Sequence, residues 1–314
     1  TYSYGAGSSD FWLVKVGTPT LPTPEIKNID PLRPIAHAYQ YQTIFGGGFV
    51  SDSEVYFNDG FETYRIPKER TRFIDSNRIE VVAGLGYTEL LWKVWVVNPG
   101  GIQSDKYPFQ TRKALDEEIR KVLALALQYW TDEDAVIMTA IAGGESGWSP
   151  NTAGDLAEHW GIIWDKKKRY DPNINSVGAC SWGLWQILMP AHIELLKDLT
   201  HTNDYNEIAK WLVDLNNNVK AAYEVWKIQG FNAWSAYTQR DEPSYYKNPS
   251  IWNRVINIAK QMRISVYKCP VNVTITDNYG RLISEVENQI PEASFEYFNE
   301  TATKVFYLPL NLTY

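Results

Sequence analysis

Glu145 sits in the run Ile141-Ala142-Gly143-Gly144-Glu145-Ser146-Gly147-Trp148, where a segment with helical spacing ends among small residues. Two aromatic-rich segments follow it, Ser181-Trp182-Gly183-Leu184-Trp185-Gln186-Ile187 and Ala233-Trp234-Ser235-Ala236-Tyr237. A carboxylic acid flanked by aromatic surface is what cleavage of a β-glycosidic bond requires, since the leaving oxygen must receive a proton as the bond breaks. Indole rings also offer flat faces to the CH face of a sugar. Taken alone, Glu145 equally suits a solvent-exposed glutamate at a Gly-rich helix end, so the surrounding pattern has to decide.

A donor must hold its proton until it is needed. A helix opening at Thr131, with Thr131 as cap and Asp132, Glu133 and Asp134 in its first turn, brings Glu145 to the C-terminal end. The negative pole of the helix disfavours a carboxylate there, and burial beside Trp148 and Ile141 acts in the same direction. Ala142, Gly143 and Gly144 would leave room for a sugar to approach.

Glu145-Ser146, then Gly183-Leu184-Trp185-Gln186 before Met189-Pro190, then Ala236-Tyr237 occur in that order within one mainly helical stretch. The trio resembles the lysozyme-like superfamily, in particular the soluble lytic transglycosylase and goose-type lysozyme group, over roughly 130–262. The resemblance implies Glu145 as general acid and then base, with Ser146 bonding locally to orient its loop. It implies Gln186 on sugar or peptide in a groove, the Gly183-Leu184 backbone lining that groove, and Tyr237 near Glu145 or the substrate N-acetyl group. Ser181 is a further candidate for the N-acetyl group. Trp185, where Met is common, joins the expected substrate contacts, and Thr238 follows Ala-Tyr where Asn is usual.

A transglycosylase needs no second carboxylate, because the substrate's N-acetyl oxygen can attack, whereas an inverting hydrolase needs a base to hold water. Asp155, Glu158, Asp165 and Asp171 all fall in or beside the insert Leu156–Asp171 that separates the motifs, and the choice among them stays open. Trp148, Trp160, Trp164, Trp182, Trp185 and Trp234 are candidate stacking platforms, of which two or three would line the groove. Lys166-Lys167-Lys168-Arg169 reads as a solvated loop face, or as an attractor of an acidic glycan.

The elements that must hold these residues follow from periodicity. Leu115, Ile119, Val122, Leu123, Ala126, Leu127 and Trp130 keep helical spacing, as do Ile208, Leu212, Leu215, Val219 and Tyr223 within Asn206–Gln229. Ile251–Met262 makes a last helix, so 111–265 reads as one helical domain. Residues 25–110 instead show short strands and turns, such as Glu54–Phe57 before Asn58-Asp59-Gly60, then Arg78–Val82 and Leu90–Val97. That spacing predicts a β-sandwich. The order Ile29-Asp30-Pro31, Gly46-Gly47-Gly48-Phe49, Val55-Tyr56-Phe57 and the closing Val97-Asn98-Pro99-Gly100-Gly101 resembles an IPT/TIG immunoglobulin-like domain, which implies a spacer or binding module. From Val266 strand pattern returns, with Val271, Val273 and Ile275 alternating, so 266–314 reads as a β unit, possible incomplete. Tyr4–Lys15 resembles the last strand of a propeller blade, and Gly17–Pro24 an extended linker, giving a remnant over 1–24 and an expectation of further domains in the same polypeptide. The fold class expected is therefore multidomain α+β: an immunoglobulin-like sandwich, a mainly α lysozyme-like domain and a small β unit.

Composition narrows the partners. The 314 residues carry a formal net charge of -7 and a pI near 5.3, which disfavours nucleic acid and anionic membrane surfaces. No apolar run reaches the ~20 residues of a membrane span. Cys180 and Cys269, if paired, would close a long loop worth roughly 4–5 kcal/mol in the chain-entropy model. Asn272, Asn299 and Asn311 stand in glycosylation sequons, a modest sign of an extracellular setting. No His/Cys cluster has metal-ligand spacing, and no cofactor is expected. The reading is a secreted, cell-surface or virion-associated enzyme cleaving β-1,4 bonds of a cell-wall aminoglycan such as peptidoglycan. The alternatives are a catalytically silent polysaccharide- or surface-binding module and a structural adhesin or virion component.

Overall fold

The computed structural model describes residues 21–156, 179–238, 249–268, 272–298, 302–310 and 313. The chain is mixed α/β: an N-terminal β-sandwich, a helical middle and a small C-terminal group of strands. The expected propeller-like strand, most of the insert with Glu158, Asp165, Asp171, Trp160, Trp164 and the Lys166–Arg169 run, and Cys269, Asn299 and Asn311 lie outside the described residues.

The sandwich has nine strands: β1 (Glu25–Asp30), β2 (Tyr39–Gly47), β3 (Glu54–Asn58), β4 (Thr63–Arg65), β5 (Thr71–Asp75), β6 (Arg78–Gly84), β7 (Leu91–Asn98), β8 (Ile102–Gln103) and β9 (Tyr107–Gln110). One sheet runs β1-β2-β6-β5, and the other runs β4-β3-β7-β8 with β9 also on β7. Ile29, Ile44, Val55, Phe57, Ile79, Val81, Trp92 and Val94 fill the space between them. Asn98, in the turn sequence singled out above, is buried and ties the sandwich end together: its side-chain amide donates to Pro22 O and Gly48 O. Its carbonyl oxygen accepts from Ser53.

The first sheet is covered on both faces at β2 and β6. Along β6, Ile79, Val81 and Ala83 point into the sandwich, while Val82 joins the core of the helical region, with Tyr39 and Tyr41 of β2 packed against it. The alternation of β strands assigns the two sets to opposite faces. Glu80, on the helical face, is buried and lies near Arg72 and Lys210 of the helical region. The backbone of Asn151 and Thr152 pairs beside β2, through Tyr41 N to Asn151 O at 2.7 Å and a Gln40–Thr152 bridge.

The helical region contains α1 (Asp116–Leu127), α2 (Asp132–Ser146), α3 (Ile193–Thr200), α4 (Tyr205–Val213), α5 (Leu215–Gln229), a short α6 (Ser235–Thr238) and α7 (Pro249–Gln261). It also holds a three-stranded antiparallel sheet that periodicity did not indicate: β10 (Ala153–Leu156), β11 (Ala179–Trp182) and β12 (Ile187–Leu188), in that order. Four further expectations are corrected. Leu115 is exposed, because it caps α1 rather than sharing its stripe. Thr131 precedes α2 without a side-chain cap bond. Asn206–Gln229 is two helices, because Asp214 leaves helical conformation and its carboxylate accepts from Asn216 N and Asn217 N to cap the second. Met262 opens a strand rather than closing a helix.

The C-terminal strands are β13 (Met262–Lys268), β14 (Ile275–Thr276), β15 (Leu282–Ile283), β16 (Ser294–Phe298) and β17 (Thr303–Pro309). β17 lies between β13 and β16. Its Phe306 and Leu308 pack on Ile283 and Ile290, whereas Val305 and Tyr307 reach the helical core.

Candidate active site

α2 ends at Glu145-Ser146 because the next residue, Gly147, adopts the left-handed conformation at φ 61°. Gly147 N donates to Gly143 O at 3.1 Å and Trp148 N to Ala142 O at 3.4 Å. The first is the bond of an αL stop, whose positive φ glycine adopts without a Cβ penalty. Trp148 continues in positive φ, at 63°. Its indole Nε1 donates to Thr139 O at 2.9 Å, and Arg254 of α7 lies over the ring at 5.5 Å. A Cβ on Gly143 would come within 2.4 Å of that ring. The small residues before Glu145 are all buried, and Gly143 makes room for Trp148 rather than for a sugar.

Glu145 itself is half-buried. Its Oε1 accepts from Ala236 N at 2.8 Å, which joins the first and third sequence motifs directly. Its pKa is pushed up from the ordinary 4.5 to about 7, which makes it a weaker acid. Burial is the main cause, and the negative charge of Asp155 adds to it; the amides of Ala236 and Ser235 pull the other way. Asp155 stands on β10, exposed, at φ 51°. Of the four acids considered, it is the one the described residues bring to Glu145. β10 pairs with β11 so that Gly154 faces Ser181, and the Ser181 hydroxyl donates to Asp155 Oδ2.

The Gly183–Gln186 turn differs in character. Leu184 and Trp185 are fully buried. Trp185 donates its Nε1 to Met138 O at 2.8 Å, and Trp234 donates to Trp185 O at 2.7 Å. Gly183 has φ 81°, and a Cβ there would meet Asn218 at 2.2 Å. Asn218, which sequence reasoning missed, is the fastener: it donates to Trp182 O and Leu212 O and accepts from Trp185 N. Leu184 and Trp185 turn their side chains into the core, which corrects the expected contact of the Trp185 ring with substrate and leaves the Gly183-Leu184 backbone as the part expected to line a groove. Trp148, Trp182 and Trp234 are likewise buried and offer no open platform.

Gln186, at φ 43°, donates its side-chain amide to Thr152 O and Gly183 O. Ser146 is buried and donates to Ala142 O at 2.8 Å. Ser181 is buried with its hydroxyl on Asp155. Tyr237 is half-buried on α6, one residue after the amide that holds Glu145, with its ring 5.2 Å from Phe231. Cys180, also missed as part of the site, is a free buried thiol beside Asp155, pushed up to about 12 chiefly by burial. Three non-glycine residues of these segments, Trp148, Asp155 and Gln186, adopt left-handed conformation. Strained backbone of this kind persists only where its surroundings enforce it. Among the described residues no group of three His, Cys, Asp or Glu side chains could hold a metal ion, and no helix is long and apolar enough to cross a membrane.

The fold and site together describe a mixed α/β protein with a half-buried acid at a helix end facing a small β-sheet. No protein-family model matches the chain, and no curated protein matches it. Among solved structures, the TIG domain of human nuclear factor of activated T-cells, cytoplasmic 4, is similar at 14% identity, over 34% of this chain and 93% of that one, with a TM-score of 0.25. The archaellum periplasmic stator complex of FlaF and FlaG from Sulfolobus acidocaldarius is similar at 12% identity, over 35% and 100%, with a TM-score of 0.21. A β-1,2-glucanase from Parabacteroides distasonis is similar at 14% identity, over 68% of this chain and 36% of that one, with a TM-score of 0.19. At these scores the functional reading rests on the residues themselves.

Proposed function

We propose that the protein is a glycan-cleaving enzyme of the lysozyme or lytic transglycosylase type, acting outside the cytoplasm on β-1,4 bonds of a cell-wall aminoglycan such as peptidoglycan. The observation that carries this reading is the Glu145 carboxyl group, pushed up to about 7 and anchored through Oε1 on Ala236 N. Below that pH the carboxyl holds a proton. With Oε1 fixed by the amide, Oε2 is the oxygen that delivers it to the glycosidic oxygen as the bond to the anomeric carbon breaks. The emptied carboxylate then accepts a proton from whatever adds to the anomeric carbon.

Asp155, fixed by Ser181, acts as the second carboxylate in this reading. Its negative charge both raises Glu145 and opposes the positive charge that develops on the sugar ring. The sandwich acts as a support beside the cleft, consistent with an IPT/TIG-like module.

The test is digestion of purified peptidoglycan by wild type and by Glu145→Gln. Turnover by wild type and none by the variant, with glycan binding kept by both, supports the reading. Binding without turnover by wild type returns the protein to the class of silent binding modules. Mass spectrometry of the products separates 1,6-anhydro ends, made when the sugar's own hydroxyl closes the ring, from the reducing ends that water leaves.

A further inference from the structure

We propose that Gln40, a residue of the β-sandwich, is a positioning residue for the Glu145 site, holding the segment between Glu145 and Asp155 in place through Thr152. The inference rests on the glycan-cleaving reading for its kinetic readout, but its geometry stands apart from that reading.

Gln40 is fully buried on β2, on the face shared with Val81 and Ala83 rather than on the face turned to the helices. Its side chain nevertheless reaches the segment that pairs beside β2. The amide nitrogen donates to Thr152 Oγ1 at 3.0 Å and to His37 O. The amide oxygen accepts from Ser149 Oγ at 2.7 Å. Every hydrogen-bonding atom of a buried amide is thus engaged, and two of its partners belong to the loop that leaves the acid-bearing helix.

Thr152 passes this fixation in two directions. Its hydroxyl donates to Ser146 O, the carbonyl that follows Glu145, at 3.1 Å. Its own carbonyl accepts from Gly183 N at 2.9 Å and from the Gln186 amide at 2.9 Å. One residue later β10 begins and carries Asp155. His37 completes the seat: its ring carbon stands 2.7 Å from where a Cβ on Gly147 would be, so the helix stop is pressed against the sandwich. Burial pushes that imidazole down to about 4, so it packs as a neutral ring.

Loosening this seat admits water to Glu145, and burial is the main cause of its raised pKa, so the group becomes more acidic. Among the described residues the charge acting on Glu145 is Asp155 of β10; α6 contributes the amides of Ser235 and Ala236. From α7, Arg254 is engaged by Asp116 and by the Trp148 ring.

The experiment compares full-length wild type with Gln40→Leu, Thr152→Val and Thr152→Ser, and with Tyr56→Phe on β3 of the far sheet as control. Leucine and valine keep size but remove the bonds, and serine keeps the hydroxyl. Gln40→Leu and Thr152→Val are expected to lower kcat about tenfold with KM little changed, because a misplaced acid loses rate rather than affinity. Their descending pH limb should move down by about one unit. Thr152→Ser and Tyr56→Phe should match wild type. The Glu145 carboxyl resonance, titrated by carbon-13 NMR, should show the same downward shift in the two variants. Folded variants with unchanged rate and unchanged titration overturn the proposal. A wild type that cleaves no glycan sinks the proposed function instead, and the carbon-13 titration then decides the role of Gln40 by itself.

Discussion

The end of α2 and the Gly183–Gln186 turn stand in the same sequence resemblance, yet the fold treats them oppositely. At the helix end a carboxyl group is half-buried, held through one oxygen and raised toward neutrality. At the turn, Trp185 is sealed in the core, Gly183 is pressed on Asn218 and the Gln186 amide is used on backbone carbonyls. The difference teaches that residues of one motif set can divide between a partly exposed titratable group and a buried frame, and that burial and hydrogen-bond partners tell which is which.

Substitutions should separate the two regions. The largest effect is expected for Glu145→Gln, which should reduce glycan cleavage by about 10³-fold while leaving glycan binding and the folded state intact, as removal of a general acid does. A binding isotherm beside a digestion time course checks it. Trp185→Ala should do the reverse, costing about 3–5 kcal/mol of stability in a denaturant titration because a large buried ring and its hydrogen bond to Met138 O are lost. Asp155→Asn should slow cleavage by about 10²-fold and lower the descending pH limb, since its charge helps to raise Glu145. A limb that stays put would separate Asp155 from the acid.

The smallest effect sharpens the contrast from the side of stability. Glu145 titrates near 7 in the fold against 4.5 when unfolded. Its contribution is therefore fully present below about pH 4.5 and is lost as pH rises through 7. Glutamine does not ionise, so Glu145→Gln should match wild type at pH 4 and exceed it by about 2 kcal/mol at pH 8, the full linkage of about 3 kcal/mol being reduced by solvent at this half-buried carboxyl. Melting curves at the two pH values measure the difference.

Much of the frame was legible in the residues. The alternating strands of the sandwich, the stripe of α1 and the acid at the end of α2 follow from periods of two and of 3.6, and Gly147 is the kind of residue that stops a helix. What could not be read depends on contacts distant in sequence. Asp155 was one of four equivalent acids until the pairing of β10 with β11 set it beside Ser181. The Trp residues carry the same composition whether they face solvent or core, and only tertiary packing places Trp182 and Trp185 inside. Asn218 looks like an ordinary polar residue of a helix, and its three bonds join segments far apart along the chain. The break at Asp214 was written in a capping residue, but an uninterrupted apolar stripe across it masked the signal.

At β2 and β6 the first sheet of the sandwich is covered on both sides. Val82, Tyr39 and Tyr41 meet the helices, and the strand-like pair Asn151–Thr152 lengthens the sheet from the other unit. Anyone trimming the molecule to its helical part would thus bare an oily wall on both pieces and strip a hydrogen-bonding neighbour from the loop beside the acid. Boundaries drawn by pattern along the chain are not, in this protein, places where it can be cut.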